Sequence, residues 1–148
     1  MTDSLTAQEL RRWELWKRAT DEVWGRVGQA ITASTGLSTA DFAVLTRTIE
    51  ADVPPRQQDL ADQLRWSRSR LSRQLSRMEE RGLVIRNATP ASSTVEATDR
   101  GRAMAGAARL AHAAAVRTAL LARIPEHGQF WRSIERLTED QPGSEQPS

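Results

Sequence analysis

Cysteine is absent from the 148-residue sequence, and other residues that carry out chemistry are scarce. The lack of cysteine excludes disulfides, thiolate zinc sites and thiol nucleophiles. The two histidines, His112 and His127, do not have the HxxxH or HExxH spacing that places two imidazoles on one helix face. No glycine-rich phosphate loop or nucleophile elbow occurs either. We therefore expect that the protein is not an enzyme and that it holds no metal and no other cofactor.

Long apolar runs are also missing. No segment approaches the roughly 18 consecutive apolar residues that a membrane-spanning helix requires. The N-terminal residues do not show the basic stretch followed by an apolar stretch that marks a secretory signal. We expect a cytoplasmic protein with no membrane partner. A length of 148 residues is typical of a single hydrophobic core, so we expect one domain over residues 1–148.

Positive charge is concentrated in one part of the sequence. The whole chain has a formal net charge of only +2. Residues 56–86 contain eight arginines and four acidic residues, a net charge of +4, whereas the remainder has 13 basic and 15 acidic residues, a net charge of −2. A basic segment within a mildly acidic chain is typical of a localised surface that binds phosphate groups.

Apolar periodicity and capping residues predict that the first half is helical. Apolar residues recur at helical spacing over residues 10–31, and Gly36 is positioned to end this helix. Ser38 and Asp41 have the spacing of a capping box, which predicts that a second helix begins directly after the serine. The two prolines of the segment DVPPR end that helix. A short helix then follows within residues 56–64, with its leucines directed inward.

A further helix and a hairpin are predicted next. Ser67 is a plausible N-cap, and Gly82 supplies a residue that readily adopts the left-handed conformation found after helix ends. The segments LVIR and TVEA have strand character and are separated by NATPASS, which is rich in turn-forming residues. We therefore expect a mainly α fold with a small β-hairpin.

The last part of the chain is predicted to be helical again. An alanine-rich helix is expected from Asp99 to about Arg123, and Pro125 interrupts it. An amphipathic helix over residues 130–137 follows, because its four large apolar side chains share one face. We expect residues 141–148 to form a disordered tail.

The helix after Ser67 has two chemically different faces. At ~100° per residue, Leu71, Leu75 and Met78 fall on one stripe, which must pack on the core. The other side carries arginines and serines, and its only acidic residues lie at the C-terminal end. Arginine can form two parallel hydrogen bonds to guanine or to a phosphate, while serine is short enough to permit close approach to a duplex. A solvated surface helix is the alternative, but such helices usually mix charges of both signs.

The segment DLADQLRWSRSRLSRQLSRMEERGLVIR resembles the DNA-binding region of the MarR family, the multiple-antibiotic-resistance type of winged helix-turn-helix transcriptional regulators. The order of the other elements extends the resemblance over roughly residues 10–137, and TDRGRA is similar to the start of the family's long dimerisation helix. The resemblance implies a winged-helix lobe over residues 38–98 and dimerisation helices within residues 10–35 and 99–140. It also implies a homodimer that binds a pseudo-palindromic site in double-stranded DNA.

The residues expected to contact DNA come from the helix wheel, from the resemblance and from the base of the hairpin. Most of the wheel residues match family positions that read bases and phosphates. Arg86, at the base of the hairpin, is in a position to reach a phosphate. The candidate DNA-binding residues are Ser67, Arg68, Ser69, Arg70, Ser72, Arg73, Ser76, Arg77 and Arg86.

The hairpin departs from the family pattern in one respect. Family members usually carry an Asp-x-Arg element in the wing, whose arginine enters the minor groove. The segment NATPASSTVEA is shorter and has neither residue. We therefore expect the protein to depend more on the major-groove helix than its relatives do.

The resemblance also implies release from DNA by a small aromatic or anionic effector. Arg12, Trp13 and Trp16 offer charge and stacking surface for such a ligand, although packing or a subunit contact is the simpler explanation of the tryptophans. The expected function is that of a DNA-binding regulator, with repression favoured over activation. The alternative is a winged-helix protein-interaction module that no longer binds DNA. The density of arginine argues against it, because the centre of a protein interface is usually depleted of charge.

Overall fold

The computed structural model describes residues 4–139, and the predicted tail at 141–148 lies outside them. The described residues form six α-helices, one short 3-10 helix and a two-stranded antiparallel hairpin. The elements are α1 (Ala7–Thr35), α2 (Thr39–Glu50), α3 (Gln57–Leu64), α4 (Arg68–Glu80), β1 (Val84–Ala88), β2 (Ser93–Ala97), α5 (Asp99–Ala119), the 3-10 turn (Leu121–Arg123) and α6 (Gln129–Thr138).

The helix ends follow from local hydrogen bonding. Thr6 and Glu9 form a capping box at the start of α1, and two hydrogen bonds from Thr6 lower the pKa of the Glu9 carboxyl. Gly36 ends α1 with φ +74°, a conformation that glycine adopts without steric cost. The predicted capping box of Ser38 and Asp41 is confirmed, with both reciprocal bonds formed.

The core of the lobe is assembled from α2, α3, α4 and the hairpin. Leu71, Leu75 and Met78 of α4 are fully buried, as their spacing predicted. They pack in one cluster with buried side chains of the other elements, including Leu45, Leu60 and Val95. At ~25 cal/mol per Å² of apolar surface, each fully buried leucine contributes about 2 kcal/mol to holding α4 against the lobe.

The hairpin is short and closely attached to the helices. Its strands pair with Val84 opposite Ala97, and the backbone N–H of Thr89 donates to the carbonyl of Ser92 at the turn. The N–H of Val95 also donates to the Pro55 carbonyl, at 3.0 Å, just before α3. The bond from Val95 ties β2 to the segment before α3 and so holds the hairpin beside the lobe.

A close backbone contact joins the hairpin to α5. A Cβ at Gly101 would overlap the carbonyl oxygen of Leu83, so only glycine permits this approach. The carbonyl of Leu83 also accepts a hydrogen bond from the N–H of Thr98, the N-cap of α5. α5 therefore leaves the lobe in a direction set by backbone packing.

The predicted end of α5 is wrong by four residues. The helix ends at Ala119 rather than near Arg123, because the backbone of Leu120 departs from helical geometry and a 3-10 turn follows. The region predicted as dimerisation helices over 99–140 is therefore two helices with a turn between them.

The apolar stripe of α1 is only partly covered within one protomer. α1 packs mainly on α5, and Val27 and Ile31 are buried. Trp13, Trp16 and Trp24 remain 50%, 42% and 70% exposed. None of the helices in residues 4–139 combines the length and apolar composition that a bilayer-spanning segment needs.

Candidate nucleic-acid interface

The polar face of α4 lies on the protein surface. Ser67 caps the helix by accepting a hydrogen bond from the N–H of Arg70, at 3.2 Å, as its sequence position predicted. No acidic residue occupies the first turn. The exposed candidate residues on this face are Ser67, Arg68, Ser69, Arg70, Arg73 and Arg77.

Three of these arginines have no acidic partner in the part of the chain that the structure describes. Within residues 4–139, neither a salt bridge nor a side-chain hydrogen bond engages the guanidinium groups of Arg68, Arg70 and Arg73. Arg77 donates to Gln74 Oε1 at 2.7 Å, a neutral acceptor that leaves its charge uncompensated. The N-terminal half of α4 thus presents several positive charges, at the end of the helix whose dipole also favours anions.

Arg86 occupies a different setting from the other candidates. Its guanidinium forms a salt bridge with Glu79, donates to Ser76 Oγ at 2.9 Å and lies 3.5 Å from Ser72 Oγ. This bonding explains why both serines are half-buried, although the helix wheel placed them on the open face. Arg86 therefore braces the hairpin against α4, and its charge is partly neutralised there.

A buried carboxylate joins α4 to α2. Asp41 is 2% exposed and accepts hydrogen bonds from the backbone of Ser38 at 2.9 Å and from Gln74 Nε2 at 2.6 Å. It also forms a salt bridge of 2.7 Å with Arg81, which lies at the C-terminus of α4. One side chain therefore caps α2 and holds α4 at two positions, which fixes the orientation of the arginine face.

Trp66 lies in the turn between α3 and α4. The Cζ atom of Arg70 is 4.0 Å from the centroid of the indole ring, in cation–π geometry. The indole is half-buried and packs on the core cluster. The sequence prediction assigned this tryptophan only to the turn. Because Trp66 precedes the N-cap of α4, the spacing rule for pairs within a helix does not report its contact with Arg70.

A large apolar cavity lies between α1, α5 and α6. Its volume is about 750 Å³, and its lining includes two of the three predicted effector residues, Arg12 and Trp16. Trp13 is not part of the lining; the ammonium group of Lys17 lies 5.6 Å from its ring centroid. Trp24, Phe130 and Trp131 also line the cavity.

Comparisons with known proteins relate this geometry to a family. Residues 34–99, which include both helices of the helix-turn-helix and the hairpin, match a Crp-like helix-turn-helix domain. No curated protein matches the sequence. Among solved structures, AbsC from Streptomyces coelicolor, a MarR family transcriptional regulator, has a TM-score of 0.83 at 22% identity, over 93% of this chain and 94% of that one.

Two further structures are similar. Sco3205, a MarR family transcriptional regulator from Streptomyces coelicolor solved in complex with DNA, has a TM-score of 0.82 at 23% identity, covering 93% of this chain and 87% of its own. The chain has the MarR fold. CouR from Rhodococcus jostii RHA1, solved with p-coumaroyl-CoA, has a TM-score of 0.68 at 25% identity, covering 83% and 85%. The predicted winged helix-turn-helix architecture is thereby confirmed.

Replacing Asp41 with alanine is expected to lower the free energy of unfolding by about 2–4 kcal/mol. The change removes a helix cap and leaves Gln74 and Arg81 without their acceptor. Urea denaturation followed by circular dichroism measures the loss. Asp52→Ala, at an exposed position in the loop after α2, should stay within about 0.5 kcal/mol of the wild type. Equal midpoints for the two variants would contradict an anchoring role for Asp41.

Proposed function

We propose that this protein is a MarR family transcriptional regulator that binds specific sites in double-stranded DNA. The proposal depends on the exposed arginines of α4, which have no acidic partner among residues 4–139, and on the fully buried apolar face that holds this helix against the lobe. A basic helix of this kind, preceded by a short helix and followed by a hairpin, suits insertion into the major groove. The DNA-bound structure of Sco3205 supports the proposal, because that protein has the same fold.

The proposed mode of binding uses two copies of α4. In a two-fold symmetric pair, the two recognition helices enter successive major grooves about 34 Å apart, which corresponds to one helical turn of DNA. Phosphate contacts fix the register, while base contacts select the sequence. Binding over a promoter excludes polymerase, so repression is the regulatory outcome that we favour.

The affinity for DNA is expected to fall steeply with salt. Two recognition helices that neutralise six or more phosphates would lose roughly 10³-fold in affinity between 50 and 200 mM salt.

Arg73→Ala should weaken binding by about 1–3 kcal/mol if this arginine reads a base, with relaxed preference at one position per half-site. Mobility-shift titrations on DNA from upstream of its own gene, repeated at several salt concentrations, provide the measurement.

Matched variants give this experiment its controls. Arg47→Ala removes an exposed arginine from α2 and should leave binding within about twofold, since isolated surface charges contribute little. Asn87→Ala and Thr89→Ala alter the wing, and we expect smaller losses there than at Arg73. If the wing variants weaken binding more than Arg73→Ala does, the expectation that binding depends mainly on the major-groove helix is wrong. A flat salt dependence would favour the alternative function, a protein-interaction module.

The proposed active form is a homodimer assembled through α1, α5 and α6. Helix α6 has no buried residue within the protomer, and its Leu137 is 71% exposed. Trp24 on α1 and Leu121 after α5 are 70% and 48% exposed. Soluble monomers rarely expose this many large apolar side chains on adjoining helices. We therefore propose that a second protomer packs on these helices and buries the exposed side chains.

Replacing Trp24 with glutamate is expected to weaken the dimer by about 100-fold or more, because each interface would then bury an unpaired carboxylate. Val53→Glu is the matched control, because Val53 is 71% exposed but lies in the loop between α2 and α3. Sedimentation velocity over a range of concentrations measures both. A Trp24→Glu protein that sediments like the wild type would place the subunit interface elsewhere.

The cavity is the proposed site for an effector that is aromatic or anionic. Its size falls within the range of small-molecule pockets, and its walls are mainly apolar. Of the three arginines in the lining, Arg26 is paired with Glu22 at 2.8 Å, so Arg12 and Arg123 are the cations proposed to attract an anionic ligand. The structure of CouR with p-coumaroyl-CoA offers a precedent for ligand binding on this fold. An effector acts by favouring a separation of the two lobes that does not match successive grooves, and its effect is limited by its differential affinity for the two states.

Benzoate, an aromatic carboxylate, is a suitable probe of this site. Millimolar benzoate is expected to reduce DNA affinity in the mobility-shift assay, and Arg12→Ala should raise the concentration needed by about tenfold, since a charge-assisted hydrogen bond contributes roughly 1.5–3 kcal/mol. Arg11→Ala removes a neighbouring exposed arginine outside the cavity lining and serves as the control. Equal sensitivity of both variants would contradict a role for Arg12.

A further inference from the structure

Trp66 has a fixed position at the start of the recognition helix. Its backbone N–H donates to the carbonyl of Ala61 at 2.9 Å, which closes the C-terminal end of α3. The preceding residue, Arg65, has φ 55°, the left-handed conformation that turns the chain between the two helices. The indole itself packs on the core cluster. Both backbone and side chain are therefore held by the turn and the core together.

The fixed indole restricts the side chain of Arg70, which is one of the exposed arginines of α4. The guanidinium of Arg70 lies 4.0 Å from the indole centroid, and its backbone N–H is bound to the Ser67 cap. Stacking on a tryptophan restricts the long arginine side chain before any ligand arrives, so less rotamer entropy is lost on binding. Within the described residues, no aromatic ring holds Arg68 or Arg73 in this way.

The stacking of Arg70 on Trp66 favours a guanine base over a phosphate group as the target of this arginine. A guanidinium whose face is covered presents its remaining N–H donors along its edge, in a fixed plane. Guanine offers two coplanar acceptors, O6 and N7, in the major groove, and a planar fork matches them with two hydrogen bonds. A phosphate can also accept two hydrogen bonds from an arginine, but its tetrahedral oxygens can be approached from several directions, whereas the guanine edge requires the guanidinium to lie in the plane of the base.

We propose that Arg70 is the specificity-determining residue that reads a guanine in each half-site, and that Trp66 is the positioning residue that holds its guanidinium in the reading plane. This inference rests on the proposed DNA-binding function and deepens it, since it names the base and the arginine. It also assigns the tryptophan before the helix a role in recognition beyond its contribution to the core.

The test is selection from randomised duplexes, followed by titration of the selected site and of versions with one base pair changed. The wild-type protein is expected to select a guanine at one position per half-site. Arg70→Ala should lower the preference for that guanine by roughly 5- to 150-fold, because it removes both hydrogen bonds to the base. Arg70→Lys should lower the preference less, because an ammonium group can reach O6 and N7 but lacks the planar fork. Since Arg70→Lys keeps the positive charge, its affinity for unrelated DNA should fall less than that of Arg70→Ala.

Substitutions of Trp66 separate positioning from core packing. Trp66→Phe keeps an aromatic face and should retain most of the guanine preference. Trp66→Leu keeps apolar bulk without a π face, and it should lose preference at the same base pair as Arg70→Ala, with affinity for unrelated DNA unchanged. Thermal unfolding verifies that each variant is folded, and the two Arg70 variants, which leave the core intact, decide the base assignment whatever the stability of Trp66→Leu.

The outcomes distinguish this inference from the function on which it rests. A wild-type protein that binds no DNA overturns both. A wild-type protein that selects a defined site, while Arg70→Ala retains the full base preference, overturns only the assignment of Arg70. Equal preference in Trp66→Leu and Trp66→Phe overturns the positioning role of the tryptophan.

Discussion

The seating of α4 is the constraint on which the rest of the structure depends. Leu71, Leu75 and Met78 bury the apolar back of the helix, which fixes its distance from the lobe. Apolar contact alone permits rotation and sliding, whereas the hydrogen bonds of Asp41 to Gln74 and Arg81 specify one register. The salt bridge between Arg86 and Glu79 adds a third attachment, from the hairpin. A helix held at this many points can carry a concentrated positive charge on its outer face.

Features governed by local spacing could be predicted from the sequence. The capping residues Ser38 and Ser67, the buried stripe of α4 and the glycine after α1 depend on neighbours within a few residues, so composition and periodicity reveal them. The bond of Asp41 to Gln74 spans 33 residues and that to Arg81 spans 40, and no periodic signal reports such pairs. The capping role of Asp41 was visible, whereas its second oxygen had no assigned partner.

The candidate site was predicted in outline but not in its internal bonding. The helix wheel treated Ser72 and Ser76 as freely exposed. The side chain of Arg86 partly covers both serines, because strand β1 runs beside α4. Periodicity placed Trp13 and Trp16 together on α1, yet of these two only Trp16 lines the cavity. Whether Trp13 or Trp16 lines the cavity depends on where α5 and α6 pack against α1. The sequence of α1 alone does not reveal this packing. The ring centroid of His112, which lines the same cavity, lies 5.3 Å from that of Phe42 in α2, so α2 contacts both the cavity wall and α4.

The glycine at the start of α5 has a consequence for the far end of that helix. α5 is 21 residues long and therefore extends about 30 Å, at 1.5 Å per residue, and Gly101 lies in its first turn. At this length, a tilt of about 5° at the contact with Leu83 would displace the far end of α5 by roughly 3 Å. Because a methyl group at Gly101 would overlap the Leu83 carbonyl, the glycine fixes the direction of α5 and thus the position of the residues at its C-terminal end.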